Sequence, residues 1–155
     1  MNDLADILAT DAVDASLGCA NKKALFQQLG AAAGKLTGID AREIVASLND
    51  REKIGSTGFG AGVAIPHGKI EGLDHVVGYF ARLSAPIDFQ AVDGLPVDLV
   101  FLLLSPPDAG AEHLKALARV SRLLRDRACV AKLRGARSRD AIYALLCGEE
   151  KADAA

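Results

Sequence analysis

Val97-Asp98-Leu99-Val100-Phe101-Leu102-Leu103-Leu104 is the stretch that decides the fold. A run with one polar side chain cannot alternate between core and water. It suits a central strand covered by helices on both faces. It is far too short to cross a bilayer, and Asp98 interrupts it. Val76 to Leu83 reads in the same way. Gly62-Val63-Ala64-Ile65 is a shorter β-rich run, and Ile87-Asp88-Phe89 alternates between the two longer ones.

Helical periodicity flanks this centre. Asn21 caps a pattern in which Leu25, Leu29, Ala32 and Leu36 share a face, and Gly38 stops it. Asp40 with Glu43 has the form of a capping box that opens a second helix, with Ile44 and Leu48 facing inward. After Pro106-Pro107, Leu114, Leu117, Val120 and Leu124 make one stripe. Ser138 then caps a last helix that buries Ile142, Leu145 and Leu146. Helices, then strands, then helices predict an α/β fold: a three-layer domain with a mixed β-sheet and helices on both faces. The order is not the strict alternation of a doubly wound fold.

Composition sets the outer bounds. At 155 residues and 16.1 kDa, with no repeat or low-complexity linker, the chain reads as one domain over 1–155 with a core at about 4–147. Half of it is hydrophobic and mean hydropathy is +0.20, which excludes intrinsic disorder. Eighteen Lys+Arg against 20 Asp+Glu give −2, so the whole molecule is no electrostatic binder of nucleic acid. Met1-Asn2-Asp3-Leu4 lacks the basic and apolar segments of a signal peptide. Cys19, Cys129 and Cys147 are odd in number, scattered and without a CxxC pair, which points to reduced thiols. The expected location is the cytoplasm, with no membrane insertion.

The most unusual stretch runs Gly55-Ser-Thr-Gly-Phe-Gly-Ala-Gly-Val-Ala-Ile-Pro-His-Gly-Lys69. Neither GxGxxG nor a Walker A spacing fits it. Its backbone N–H groups and the hydroxyls of Ser56 and Thr57 could cradle a phosphate; a turn leading into a strand explains the glycines equally well. His67 sits between Pro66, which stiffens the chain, and Gly68, which lets it turn. An imidazole with a pKa of about 6.5 is partly neutral at pH 7 and can act as nucleophile or base, or be an ordinary surface residue. His113 lies near a predicted helix N-terminus, where an anion is favoured. His75 reads as loop surface. The three histidines lack metal-ligand spacing, so no metal is expected. Lys115, Arg119 and Arg122 share one helix face, either solvated or a dock for an acidic protein. Nucleic acid is disfavoured because no aromatic falls between Phe101 and Tyr143.

Taken together, Arg51-Glu-Lys-Ile-Gly-Ser-Thr-Gly-Phe-Gly-Ala-Gly-Val-Ala-Ile-Pro-His67-Gly-Lys resembles the enzyme IIA components of the bacterial phosphotransferase system. It is most similar to the nitrogen-regulatory branch of the mannitol/fructose-type superfamily. Ala85 to Phe89, Val97 to Phe101 and His113-Leu114 agree, while Phe59 and Ala61 stand where the family pattern has an aliphatic residue and Asn. The resemblance implies that His67 accepts a phosphoryl group from a histidine phosphocarrier protein. Arg51 and His113 match the family's supporting positions, and Ser56 and Thr57 could add phosphate-binding hydroxyls. Such transfer calls on positioning and charge, with no nucleotide or other cofactor. Without a sugar-specific domain attached, the expected output is control of regulatory target proteins. A sugar-specific IIA serving a separate IIB protein is the alternative. An unmodified interaction module and a His-dependent hydrolase are the readings from other classes; the second lacks a G-x-S-x-G elbow.

Overall fold

The computed structural model describes residues 4–148, so the reading of residues 1–3 and the two ends of the 1–155 domain lie outside the described residues. The chain begins with β1 (Val13–Leu17), α1 (Lys22–Thr37), α2 (Ala41–Ile54), β2 (Gly58–Gly60), β3 (Val63–Ala64) and β4 (His67–Lys69). Then come β5 (Val77–Ile87), β6 (Val97–Ser105), α3 (Ala111–Arg125), α4 (Arg127–Gly135) and α5 (Arg139–Cys147). One sheet runs in the order β1-β5-β6-β3-β2, with β4 also paired to β6. It is mixed: β5 is antiparallel to β6, while β3 and β4 run parallel to β6 and β1 parallel to β5.

Period two explains the layers. Leu99, Phe101 and Leu103 pack into the core shared with α3, α4 and α5. Val100, Leu102 and Leu104 pack into the opposite core, shared with α1 and α2. Burying one such side chain contributes about 1.5–3 kcal/mol, so six in succession hold β6 at the centre. The α/β fold with helices on both faces is the expected one.

Several local expectations need correction. In α1 the buried face is Leu25, Phe26, Leu29 and Ala33, with Ala32 and Leu36 only half-buried. Asp40 caps α2 by accepting from the Arg42 N–H at 2.9 Å, and the Glu43 N–H donates instead to the Asp40 carbonyl. Leu114 is 65% exposed. The buried stripe of α3 is His113, Ala116, Val120, Leu123 and Leu124, and the buried Ser105 hydroxyl meets His113 at the start of that stripe. In α5 Leu146 is buried and Leu145 half-buried. Ile87 ends β5, leaving Asp88 and Phe89 outside the strand. The break between α3 and α4 is set by Asp126, whose carboxylate accepts from the N–H groups of Ala128 and Cys129. Cys129 and Cys147 are buried and Cys19 half-buried, and none of the three is in a disulfide.

Two backbone positions shape the region around the short strands. A Cβ on Gly68 would meet Ser47 Oγ at 2.3 Å, so only glycine lets α2 lie this close to β4. Between β2 and β3, Ala61 (φ 58°) and Gly62 (φ 82°) form a two-residue turn with positive φ at both central positions. That is the pattern of a type I′ hairpin, which favours Asn-Gly. Asp93 accepts from the Ala61 N–H and Arg134 donates to its carbonyl, which holds alanine in a conformation it disfavours. Ala61→Asn is therefore expected to raise stability by about 0.5–1 kcal/mol, read as a higher urea midpoint. An unchanged or lower midpoint contradicts the turn strain.

Candidate functional site

His67 opens β4 and pairs with Leu103 of β6. Residues paired across strands share a face, so His67 points with Leu103 toward the layer of α3. Ser105, two residues on, points the same way. His113 enters on that face from the first turn of α3. The two imidazole centroids stand 5.6 Å apart, tilted by 46°. From the other side, Arg51 in the last turn of α2 reaches over the strand, and its Nε–H donates to His67 Nε2 at 3.2 Å. Arg51 Nη1 is anchored on the Gly55 carbonyl at 2.9 Å. The fold thus joins His67 to Arg51 and His113, which lie 16 and 46 residues from it in the chain.

Hydrogen bonds settle the state of His67. Nδ1 lies 2.8 Å from the Ile65 carbonyl, which can only accept, so Nδ1 carries the proton. Nε2 is left as a lone pair facing Arg51. Burial pushes the His67 pKa below its ordinary value, opposed by the Ile65 carbonyl and assisted by the Arg51 charge. His113 is lowered too, by burial first and then by the repulsion a second proton would meet from a protonated His67 and from Lys69. Both rings are therefore neutral at pH 7.

Burial of this neutral pair couples folding to pH. Unfolded histidines bind protons near pH 6.5, while the folded pair resists them to lower pH. Stability supplied by the neutral pair is complete above about pH 7 and is lost as pH falls below about 6.5. The urea midpoint is expected to drop between pH 7.5 and 5.5, and the H67Q/H113Q double variant should flatten that slope. An equal drop in the double variant contradicts the assignment.

Ser56 and Thr57 are placed differently. Thr57 is buried, and both its N–H and its hydroxyl donate to the Glu52 carboxylate, at 2.9 and 2.6 Å. Lys22 Nζ meets Glu52 Oε2 at 2.9 Å and lies over the Phe89 ring at 4.3 Å. Hydrogen bonds from Thr57 and Lys22 hold the Glu52 carboxyl below its ordinary value against the opposing effect of burial, the largest single influence on it. Ser56 Oγ accepts from the Gly58 N–H at 3.1 Å, leaving its proton to donate. The loop that looks like a cradle is thus tied down on α2, and Glu52, which sequence reasoning missed, is its anchor. The signal was there: an acid one residue after Arg51 and five before Thr57.

Phe59 and Ala61 are not at this site. Phe59 lies under Arg125 (4.9 Å) and both residues line a cavity of about 830 Å³ with Asp93 and Arg134. Val63 pairs with Leu99, four residues before Leu103 on β6, which puts the hairpin about 13 Å or more from His67. In the basic stripe, Arg119 forks onto the Asp6 carboxylate at 2.9 and 2.8 Å. Lys115 and Arg119 line a second cavity, of about 460 Å³, with Asp74, His75, Asp108 and Glu112. His67 lines neither. Among the described residues, no group of three His, Cys, Asp or Glu could hold a metal ion, and no helix is long and apolar enough to cross a membrane.

Known proteins share this geometry's framework. The family model described as "Phosphoenolpyruvate-dependent sugar phosphotransferase system, EIIA 2" matches residues 6–148. A nitrogen regulatory protein of Bradyrhizobium diazoefficiens is 52% identical over 143 residues, covering 92% of this chain and 94% of that one. The crystal structure of nitrogen regulatory protein IIA-Ntr from Neisseria meningitidis superposes with a TM-score of 0.88 at 34% identity, over 92% of this chain and 98% of that one. Enzyme IIA mannitol of Escherichia coli, solved in complex with phosphorylated enzyme IIB mannitol, shares the fold. Its TM-score is 0.74 at 22% identity, over 90% and 96% of the two chains.

Proposed function

The chain belongs to the EIIA 2 family of the phosphoenolpyruvate-dependent sugar phosphotransferase system, and on that basis we propose that it is a regulatory phosphoryl carrier acting on His67. In this reading one IIA domain works in the cytoplasm. It takes its phosphoryl group from a histidine phosphocarrier protein and passes information to target proteins through its charge. The observation that carries the reading is the unprotonated Nε2 of His67, held by two hydrogen bonds at the start of β4 beside a guanidinium.

The step balances with this chain's own groups. The Nε2 lone pair attacks the phosphorus of the donor's phosphohistidine, and the donor's N–P bond breaks as the new one forms. The bonding pair returns to the donor imidazole. The Nδ1 proton stays hydrogen-bonded to the Ile65 carbonyl and spreads the charge that the ring acquires. Phosphoryl transfer is mostly positioning and electrostatic stabilisation. Arg51 supplies charge and a donor fork, and His113 adds a neutral donor. Ser56 retains one hydroxyl proton to offer, while Thr57 acts through Glu52 by holding the loop. Phosphorylation adds about −1.5 to −2 charge at one spot, enough to change which partners dock.

Likeness to the nitrogen regulatory proteins favours a regulatory output. Transfer onward to a separate IIB protein is the second reading, favoured by the fold shared with mannitol IIA. The test is incubation of the purified chain with phosphoenolpyruvate, enzyme I and the phosphocarrier. One acid-labile phosphate per chain is expected; no incorporation contradicts the proposal. Adding a mannitol- or fructose-type IIB protein should leave that phosphate in place, and its rapid discharge would favour the second reading.

A further inference from the structure

We propose that Ser105 is a positioning residue that fixes the tautomer of His113, so that His67 and His113 meet the phosphoryl group as opposites, one with a lone pair and one with an N–H. The inference rests on the phosphoryl-carrier reading of His67. Ser105 ends β6 and is fully buried, at 0% exposure. Its hydroxyl lies 2.6 Å from His113 Nδ1, and that ring nitrogen is its hydrogen-bond partner. Either group could donate across such a contact. Burial decides between them.

If Nδ1 carried the hydrogen, the hydroxyl would accept it and its own proton would be buried with no acceptor. Leaving a buried donor unmade is the costly arrangement. With the hydroxyl donating, Nδ1 is the acceptor, every buried proton is placed, and the hydrogen of the neutral ring moves to Nε2. The same reasoning on His67 gives the reverse, since the Ile65 carbonyl forces the proton onto Nδ1. Two neutral imidazoles 5.6 Å apart are thus locked in opposite tautomers by two different oxygens. A ring locked as Nε2–H donates to a phosphoryl oxygen without reorganising when charge develops. In the other tautomer His113 would present a second lone pair and repel it.

The alignment is built into register. Ser105 pairs with Lys69 on β4, two positions beyond the His67–Leu103 pair, so its hydroxyl falls on the face that α3 covers.

The test uses ¹⁵N-histidine-labelled protein, with tautomers read from imidazole nitrogen–carbon-bound proton correlations. Wild-type His113 should show a protonated Nε2 and His67 a protonated Nδ1. A protonated Nδ1 on wild-type His113 overturns the proposal, and needs no variant. In Ser105→Ala, His113 should become a mixture of tautomers. Phosphoryl transfer should slow about three- to ten-fold, the loss of one neutral hydrogen bond, in kcat and not in KM for the phosphocarrier. Ser105→Thr should restore both tautomer and rate. An unchanged tautomer and rate in Ser105→Ala also overturns it. Failure of the carrier reading looks different: no phosphate would enter His67 in any variant, while the tautomer spectrum would be unaffected.

Discussion

His67→Ala is expected to take up no acid-labile phosphate from phosphoenolpyruvate, enzyme I and the phosphocarrier, and His67→Gln none either. The loss is complete because the reacting atom itself is removed. Glutamine keeps a side chain that can accept from Arg51, so it separates loss of the nucleophile from collapse of the site. His113 cannot replace it. In the resting site its Nδ1 is engaged by Ser105, and in the tautomer proposed above its Nε2 carries the hydrogen. His75 is bonded to Asp74 on the surface, at the second cavity and not at this one. Labelling of His67→Ala at the wild-type level would mean that another side chain is the acceptor. Intact folding of both variants is checked by the urea midpoint.

Arg51→Ala is expected to slow transfer by roughly 10²–10³ while leaving the phosphate on His67, the usual cost of removing one preorganised donor aimed at developing charge. Arg51 Nε–H meets the Nε2 lone pair in the resting site. Once that lone pair bonds to phosphorus, the N–H loses its acceptor and turns to a phosphoryl oxygen on the same spot. The Gly55 carbonyl holds the other arm of the fork throughout. Arg51→Lys keeps the charge but not the fork, and should recover only part of the rate. Single-turnover rates from ³²P-labelled phosphocarrier measure both. A change under three-fold in Arg51→Ala would remove Arg51 from the transfer step.

The centre of the fold and the candidate acceptor are legible in the sequence for the same reason: each is a local signal. Leu99 to Leu104 are apolar in both parities, and that alone demands two covering layers. Ile65-Pro66-His67-Gly68 marks a stiff, projected histidine within four residues. Features that depend on register between distant segments are not legible. The short strands β1, β2 and β4 have no pattern of their own; they exist because neighbouring strands offer partners. The α3 stripe runs through Leu114 by periodicity, yet the helix turns His113 inward with Ala116, Val120 and Leu123, where a serine at the end of β6 meets it. Adjacency also misleads. Phe59 and Ala61 are eight and six residues from His67, but a two-residue hairpin carries them toward Asp93 and Arg134, at the far end of β6. Thr57 offers a hydroxyl on paper, and the fold gives it to Glu52.

Placing the phosphate on one atom is the sharpest check on this chemistry. Wild-type chain carrying ¹⁵N-histidine, phosphorylated through the phosphocarrier and kept at alkaline pH, can be read by nitrogen–phosphorus coupling. The expected result is a single phosphohistidine, at Nε2 of His67, with Nδ1 still facing the Ile65 carbonyl. Phosphate on Nδ1 of His67, or on either nitrogen of His113 or His75, would contradict it.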